Sequence, residues 1–531
     1  MRLDRVFIDR FRNLRNLEVS FSARDLATVL IGRNGSGKSN LFEAITEVFR
    51  SVDFGREQTQ FSYEIDYRID QHSVRLTNLR GEPSIFVDER KLSRPEFERN
   101  KSKFFPGLIF GYYSGANMRF ERLFDSHQRR YLDSIKGEFD VQNCRRALEE
   151  RRLFYCRPIH GAFALLTMLA YADAEAMQFL YNELRIREFH SAIAILKEPS
   201  FAIGSRASRV ADARDIWGIQ GLVGSCARNV RDVSFYPLTF VNSDVDDYRE
   251  DKKSRVHLAC FLRNKTALAD FAQQYSNEKE MFAALDAVDI CGMIRDLYIW
   301  VTRESEVGEL SFSDLSEGEQ QLLMVLILMR ISRGQHTLFL LDEPDTHLNP
   351  MWQYTYLDLM KRWTGTAAGA EECQILIATH NPVVVGGLRK EQVRIINVNA
   401  NHAVAAEPEY DPIGIGIEGL LKSELFGLRS SLAQPILDKL DQHYALLGKK
   451  DRSATENEQL KTLSIELNEL GVSRTHPNPY FEAFATALAR SHGSTKSVLL
   501  SKEEIDAQAL LADQILKQII AEEAPAAGER G

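Results

Sequence analysis

Eight consecutive residues, GRNGSGKS at 32–39, have the composition of a phosphate cradle. Gly35 and Gly37 let the backbone curl so that successive N–H groups face an anion. Lys38 has the reach for β- and γ-phosphate oxygens, and the Ser39 hydroxyl is a ligand for Mg2+. A strand-like run precedes the loop and a helix-like run follows it, the setting in which this spacing specifies a nucleotide site rather than a simple connecting turn. The candidate nucleotide contacts are therefore Asn34, Gly35, Ser36, Gly37, Lys38, Ser39 and Asn40. A second pattern, LFLLDEP, buries four apolar residues and projects Asp342 and Glu343 from the end of a strand. Beside a phosphate loop the two carboxylates divide the work: Asp342 holds Mg2+ through water and Glu343 polarises the attacking water, since phosphoryl transfer needs mainly positioning and charge neutralisation. Alone, the pair reads equally as a solvated turn. A third pattern, DLSEGEQQ at 314–321, precedes an almost wholly apolar stretch, which sets Ser316 and the Gly318 backbone at a helix N-terminus that attracts phosphate. The same letters describe an ordinary capping box, Ser316 with Glu319.

The elements that position these residues follow from periodicity. RVFIDRF, LEVSF and LATVLIG read as strands, a helix follows over 38–49, and YEIDYRI, SVRLTN, PSIFVDE and GLIFGYYSG complete a β-rich first lobe at 1–116. Residues 117–303 change character, with Arg pairs and helical spacing, and are expected to form a mainly helical insertion without a long heptad array. HTLFLLDEP and CQILIATHNP restore parallel-strand chemistry in a second lobe at 304–400. A helical region at 401–520 follows, with capping boxes at Thr455/Glu458 and Ser501/Glu504, and then a tail at 521–531 whose composition predicts disorder. The fold class predicted is α/β: a mixed, largely parallel sheet with a phosphate loop, a helical insertion and a helical C-terminal region.

The chain has 531 residues, too many for one compact core, with 44% hydrophobic and 27% charged residues, the balance of a folded soluble protein. Its longest apolar run, LLMVLILM, is far short of a membrane crossing, and the N-terminus lacks the apolar core of a signal peptide; a cytoplasmic location without membrane contact is expected. Six scattered cysteines with no CxxC pair suggest neither disulfides nor zinc. A net charge of −9 excludes a uniformly basic surface and leaves a local nucleic-acid groove open.

Taken in order, GRNGSGKS, LSEGEQQ, LFLLDEPDTHLNP and IATHNP resemble the phosphate loop, signature, second acidic motif, D-loop and switch histidine of ABC ATPases. FRNLRNLEVSF and Glu317 in the signature resemble the soluble SMC, RecF and OLD-like branch. The resemblance implies an ATP- and Mg2+-dependent ATPase that acts as a head-to-head dimer or a higher oligomer. In such a dimer Ser316, Gly318 and Glu319 complete the site at Lys38 of a partner copy, Asp345 crosses the interface, and His380 senses the γ-phosphate. The family's glutamine after the strand preceding the insertion is missing, since GLIFGYYSG offers none and Gln128 comes later. IEGLLKSELFGLRSSL, ENEQLKTLSIELNELG and PNPYFEAFATAL are similar to the PtuA-like ATPase subunits of Septu-type antiphage systems, which also occur beside some retrons. This implies a separate HNH-type nuclease as partner, and, in a retron setting, a reverse transcriptase with its multicopy single-stranded DNA. No nuclease centre is evident in this chain: Glu418 has no DxD after it, and Asp246, Asp247, Glu250 and Lys252 are packed too closely. Arg pairs at 129–130, 145–146 and 151–152 suggest nucleic-acid contact, although Glu149 and Glu150 beside the last pair look equally like a solvated face. The alternative reading is a RecF-like DNA-binding repair ATPase without a nuclease partner.

Overall fold

The computed structural model describes residues 1–470 except 23, 56–58, 137–139, 172, 200, 202–212, 245–252, 305–308, 333–335, 365–372, 400–401, 429–431, 448 and 450–451. The acidic group at 246–252, the helix expected after Ser501 and the tail at 521–531 lie outside the described residues. Two compact units divide between Glu407 and Pro408.

In the first unit the strands are, in chain order, β1 (Arg2–Phe11), β2 (Leu14–Ser20), β3 (Ala27–Ile31), β4 (Tyr63–Ile69), β5 (His72–Thr77), β6 (Ser84–Val87), β7 (Arg90–Leu92), β8 (Leu108–Tyr113) and β9 (Leu153–Tyr155). They continue as β10 (Ile186–Lys197), β11 (Leu238–Asp244), β12 (Lys253–Leu262), β13 (Ile294–Arg303), β14 (Glu309–Ser311), β15 (Thr337–Asp342), β16 (Gln374–Ala378), β17 (Val393–Asn399) and β18 (His402–Ala406). The central sheet has the order β18-β17-β3-β16-β15-β8-β9, parallel throughout except for β18. Every residue of β3, β15 and β16 is buried, as expected of parallel strands covered on both faces. Their adjacency sets the functional geometry, because the loops after β3, β16 and β15 leave the same edge side by side.

A second, antiparallel sheet, β2-β1-β4-β5-β6-β7, shows the in-out alternation of a half-buried surface: Tyr63, Ile65, Tyr67 and Ile69 point inward, and Glu64, Asp66 and Arg68 lie between them. Its inner face shares one core with the helix Lys38–Phe54, through Leu41, Phe42, Ile45 and Phe49, and with Leu338, Leu340 and Leu376 of the central sheet.

The segment 117–303, expected to be mainly helical, carries strands as well as helices. Strands β9 to β13 all lie within it, and β10 to β13 join β14 in an antiparallel sheet of order β11-β12-β10-β13-β14. Ala192-Ile193-Ala194-Ile195 on β10 has no period that separates strand from helix; pairing with β12 and β13, more than 60 residues away, decides it. The boundary at 117 also cuts β9 from the head, because β9 pairs in parallel with β8 at the edge of the central sheet. The helix Ile159–Tyr171 packs on the helix Glu317–Ser332, so that a Cβ added at Gly161 would stand 3.5 Å from Met324 Cβ.

Within the second unit the described helices are Gly416–Lys422, Gln434–Leu447 and Ala454–Glu469. The capping box of the last sits two residues before the expected one. Ser453 Oγ accepts from Glu456 N at 3.2 Å and Glu456 Oε2 accepts from Ser453 N at 3.0 Å. Lys439 pairs with Glu466 at 2.7 Å and holds the last two helices together. All six cysteines are free and buried, and among the described residues no helix is long and apolar enough to cross a membrane.

Candidate nucleotide site

The loop between β3 and the helix Lys38–Phe54 folds as its glycines allow. Gly32, Gly35 and Gly37 have φ of 153°, 81° and 95°. A Cβ at Gly32 would stand 2.4 Å from the Ile396 carbonyl oxygen, and one at Gly37 would stand 2.5 Å from Leu14 Cδ2, so both positions exclude a side chain. The turn between β1 and β2 braces the loop from outside. Asn13 Nδ2 donates to Gly35 O and Asn40 Nδ2 donates to Asn13 Oδ1, both at 2.6 Å; Arg12 donates to Asn40 Oδ1 at 3.2 Å and pairs with buried Glu43. Sequence reasoning used FRNLRN only as a mark of resemblance and missed this bracing role; the signal available was a polar Arg-Asn pair between two apolar strands.

Lys38 is almost fully buried and donates to Gly32 O at 2.9 Å. Burial pulls its pKa below the ordinary lysine value, while nearby Glu343 and Asp342 act in the other direction. Asp342, the last residue of β15, is buried and pushed up to about 6 by desolvation, against a hydrogen bond from Ser39. Its Oδ1 is buried without a hydrogen-bond partner. An ionised carboxylate beside a serine hydroxyl, with one oxygen unsatisfied, is the oxygen donor set that Mg2+ takes. Glu343 follows in the left-handed region at φ 52°, held by its N–H to Ala378 O at 2.8 Å, and its carboxylate meets His380 Nδ1 at 2.7 Å. The loops after β15 and β16 thus join the two predicted catalytic side chains directly, next to the phosphate loop.

A family model described as "AAA domain, putative AbiEii toxin, Type IV TA system" matches residues 172–386, and one described as "AAA ATPase domain" matches residues 1–135. The chain is an ATPase, similar to AAA domains over these two segments. It is 28% identical over 165 residues to the Septu protein PtuA of Bacillus mycoides (strain KBAB4), a match covering 29% of this chain and 22% of PtuA. The chain therefore spans about a fifth of that relative. Across 438 residues it is 18% identical to the Retron Vc95 probable ATPase of Vibrio cholerae serotype O1 biovar El Tor, covering 78% of this chain and 77% of that one. The SmcHead solved with the C-winged helix domain of ScpA aligns with 76% of the chain at 13% identity and a TM-score of 0.31, too loose a superposition to carry an argument. The α/β assignment stands on the strand order and the loop geometry.

In this ATPase the expected signature residues form the capping box at the start of the helix Glu317–Ser332. Ser316 N donates to Glu319 Oε2 at 2.8 Å and Glu319 N donates to Ser316 Oγ at 3.3 Å. Glu319 also accepts from Arg303 at 2.6 Å. Among the described residues none of these bonds reaches 32–39. The D-loop is clamped to the same helix, since Gln321 Oε1 accepts from His347 N at 3.3 Å, Glu317 meets His347 Nδ1 at 3.1 Å, and a Cβ at Gly318 would stand 2.4 Å from His347 O. Asp345, the residue expected to cross a dimer interface, faces inward within the chain. It is only 2% exposed and accepts from Thr379 Oγ1 at 3.0 Å and from Asn381, tying the D-loop to the turn that carries His380. Where the family's glutamine is expected, Ser114 follows β8, donating its N–H to Asp342 O at 3.2 Å and meeting Thr346 Oγ1 at 3.1 Å. Gln128 sits on the helix Asp125–Ile135.

Proposed function

We propose that this ATPase binds and hydrolyses ATP at residues 34–40, in a head-to-head dimer that governs a separate HNH-type nuclease within an antiphage defence complex. The observation that carries the nucleotide chemistry is the convergence of Lys38, Ser39 and Asp342 with the Glu343–His380 pair on one sheet edge. Ser39 and Asp342 would hold Mg2+, whose charge neutralises the phosphate oxygens. Lys38 supplies a buried positive charge, and Glu343 accepts a hydrogen bond from water placed for in-line attack. His380, bonded to Glu343, is set to respond to what lies beyond that carboxylate.

Two features support a composite dimer site. Ser316 is exposed at a helix N-terminus, and its turn is clamped to the D-loop, whose Asp345 is tied to the His380 turn. The defence assignment rests on likeness to the Septu protein PtuA and the Retron Vc95 probable ATPase. A reverse transcriptase with its multicopy single-stranded DNA is the further partner to expect in a retron setting. The test is to purify the chain with and without the products of its genomic neighbours, weigh the assemblies by mass photometry, and assay nucleic-acid cleavage across ATP concentrations. Cleavage that needs both a nuclease neighbour and this chain, and that changes with ATP, is the expected result. A dimer that ignores its neighbours and tightens on gapped DNA with ATP would replace this reading with a RecF-like repair ATPase.

A further inference from the structure

Away from the nucleotide site, a half-open cavity of about 440 Å3 lies against the other end of the helix Lys38–Phe54. That volume falls in the range, roughly 300–1,000 Å3, of pockets that hold small molecules. Its lining gathers five fixed cations from three stretches of chain: Arg99 and Lys101, Arg130 on the helix Asp125–Ile135, and Arg151 and Arg152 leading into β9. The second member of one Arg pair in the sequence and both members of another thus share one wall. Arg129, by contrast, points to solvent and pairs with Asp133.

Three carboxylates also line the cavity, and they do not balance these charges. Asp53 is already shared by Lys101 at 3.0 Å, His127 at 3.0 Å and Arg130. Glu98 is taken by Lys101 at 3.1 Å and Arg94 at 2.6 Å. Glu150 is exposed to solvent. Among the described residues neither Arg99 nor Arg152 has a carboxylate within ion-pair distance; each donates to one backbone carbonyl, Pro95 O and Pro106 O, at 3.3 Å. Arg151 is 6% exposed, lies over the Tyr131 and Phe154 rings and bonds Asp286 through Nη1, leaving its Nε and Nη2 buried without hydrogen-bond partners. Desolvated guanidinium N–H groups are costly unless an acceptor meets them, and the planar fork fits the tetrahedral oxygens of phosphate.

We propose that this cavity binds a terminal phosphate monoester, carried either by a free mononucleotide or by the 5′ end of a nucleic acid. The dianion meets the Arg99 and Arg152 forks, with Lys101 and Arg130 turning toward it from Asp53. The site is separate from the phosphate loop and holds whether or not the defence reading does.

The test is calorimetric titration of the full chain carrying Lys38→Ala, which removes the nucleotide-loop contribution. The probes are AMP, a 5′-phosphorylated DNA decamer and the same decamer with a 5′ hydroxyl. Saturable binding of AMP or of the phosphorylated decamer is expected, weakened about tenfold or more by Arg99→Glu and by Arg152→Gln. Arg99 is solvent-exposed, so Arg99→Glu leaves the fold intact if Arg152→Gln proves unstable. Tighter binding of AMP assigns the free nucleotide, and tighter binding of the phosphorylated decamer assigns the nucleic-acid end. Binding that ignores the terminal phosphate, that survives Arg99→Glu, or that is absent for every probe overturns the proposal.

Discussion

At the scale of single residues, Glu343 is held in a left-handed backbone and tied to His380 at 2.7 Å, so its carboxylate has little freedom to be anything but a positioned acceptor. Glu343→Gln keeps the shape and removes the charge. Steady-state phosphate release should fall by roughly two orders of magnitude or more while ATP binding persists, and unchanged turnover would remove Glu343 from the mechanism. A different residue-scale feature is the buried group His160, Asp286 and Asp289, whose ligand atoms come together as in a metal site. Both ring nitrogens of His160 are engaged within the protein, Nδ1 accepting from Arg157 N and Nε2 meeting Asp286 Oδ1, each at 3.0 Å, and Asp286 also pairs with buried Arg151. Burial holds His160 below its ordinary value of 6.5; the Arg151 and Arg157 cations and the hydrogen bond with His160 outweigh burial and hold Asp286 below 3.8. The signs agree: the unfolded chain takes up a proton before folded His160 does, and before folded Asp286 does. Stability should therefore fall as pH drops below about 6.5 and fall again below about 4. The urea midpoint measured from pH 8 to 3 tests this, and His160→Gln should flatten the upper step. Asp286→Ala, which strands Arg151, should cost about 3–5 kcal/mol at neutral pH in the same assay.

At the scale of elements, the helix Glu317–Ser332 and the loop that carries His347 are clamped together, because Gly318 lies against the His347 carbonyl. Gly318→Ala places a methyl group 2.4 Å from a backbone oxygen that cannot rotate away. The expected outcome is a loss of about 1–3 kcal/mol in chemical denaturation together with slower ATP turnover; full activity at wild-type stability would show that the two elements are not coupled. The strands that carry the site were legible from sequence, since β3, β15 and β16 are short apolar runs bounded by turn or polar residues. The sheet of β10 to β14 was not. Its partners are distant in sequence, and the Ala-Ile-Ala-Ile run of β10 carries no local period to separate strand from helix. The bracing of the phosphate loop by Arg12, Asn13 and Asn40 was also hidden, because it depends on which hairpin the fold lays against the loop.

At the scale of the whole molecule, residues 1–407 hold every candidate nucleotide residue and form a compact unit of their own. A chain truncated after Glu407 should unfold cooperatively in a thermal melt and bind ATP like the full chain; aggregation without ATP binding would show that the second unit is needed for folding. Assembly is the other property of this scale. If Ser316 completes the site of a partner copy, Glu343→Gln with Mg2+ and ATP should shift the full chain to twice its mass in mass photometry, and Ser316→Arg should prevent the shift. A population that stays monomeric under both conditions rules out the composite site.

The phosphate loop, the acidic pair, the capping-box turn and the histidine were legible in the chain, because each is a local pattern whose chemistry is set by residues a few positions apart. The α/β class was legible for the same reason, since buried parallel strands announce themselves as continuous apolar runs. Packing between distant segments turned Asp345 inward to Thr379, set Ser114 against Thr346 and added β9 to the head. Only the tertiary structure brought Arg99, Arg130 and Arg152 to one cavity. These are consequences of which distant segments pair and which side chains lose water on packing, and no short-range spacing encodes either.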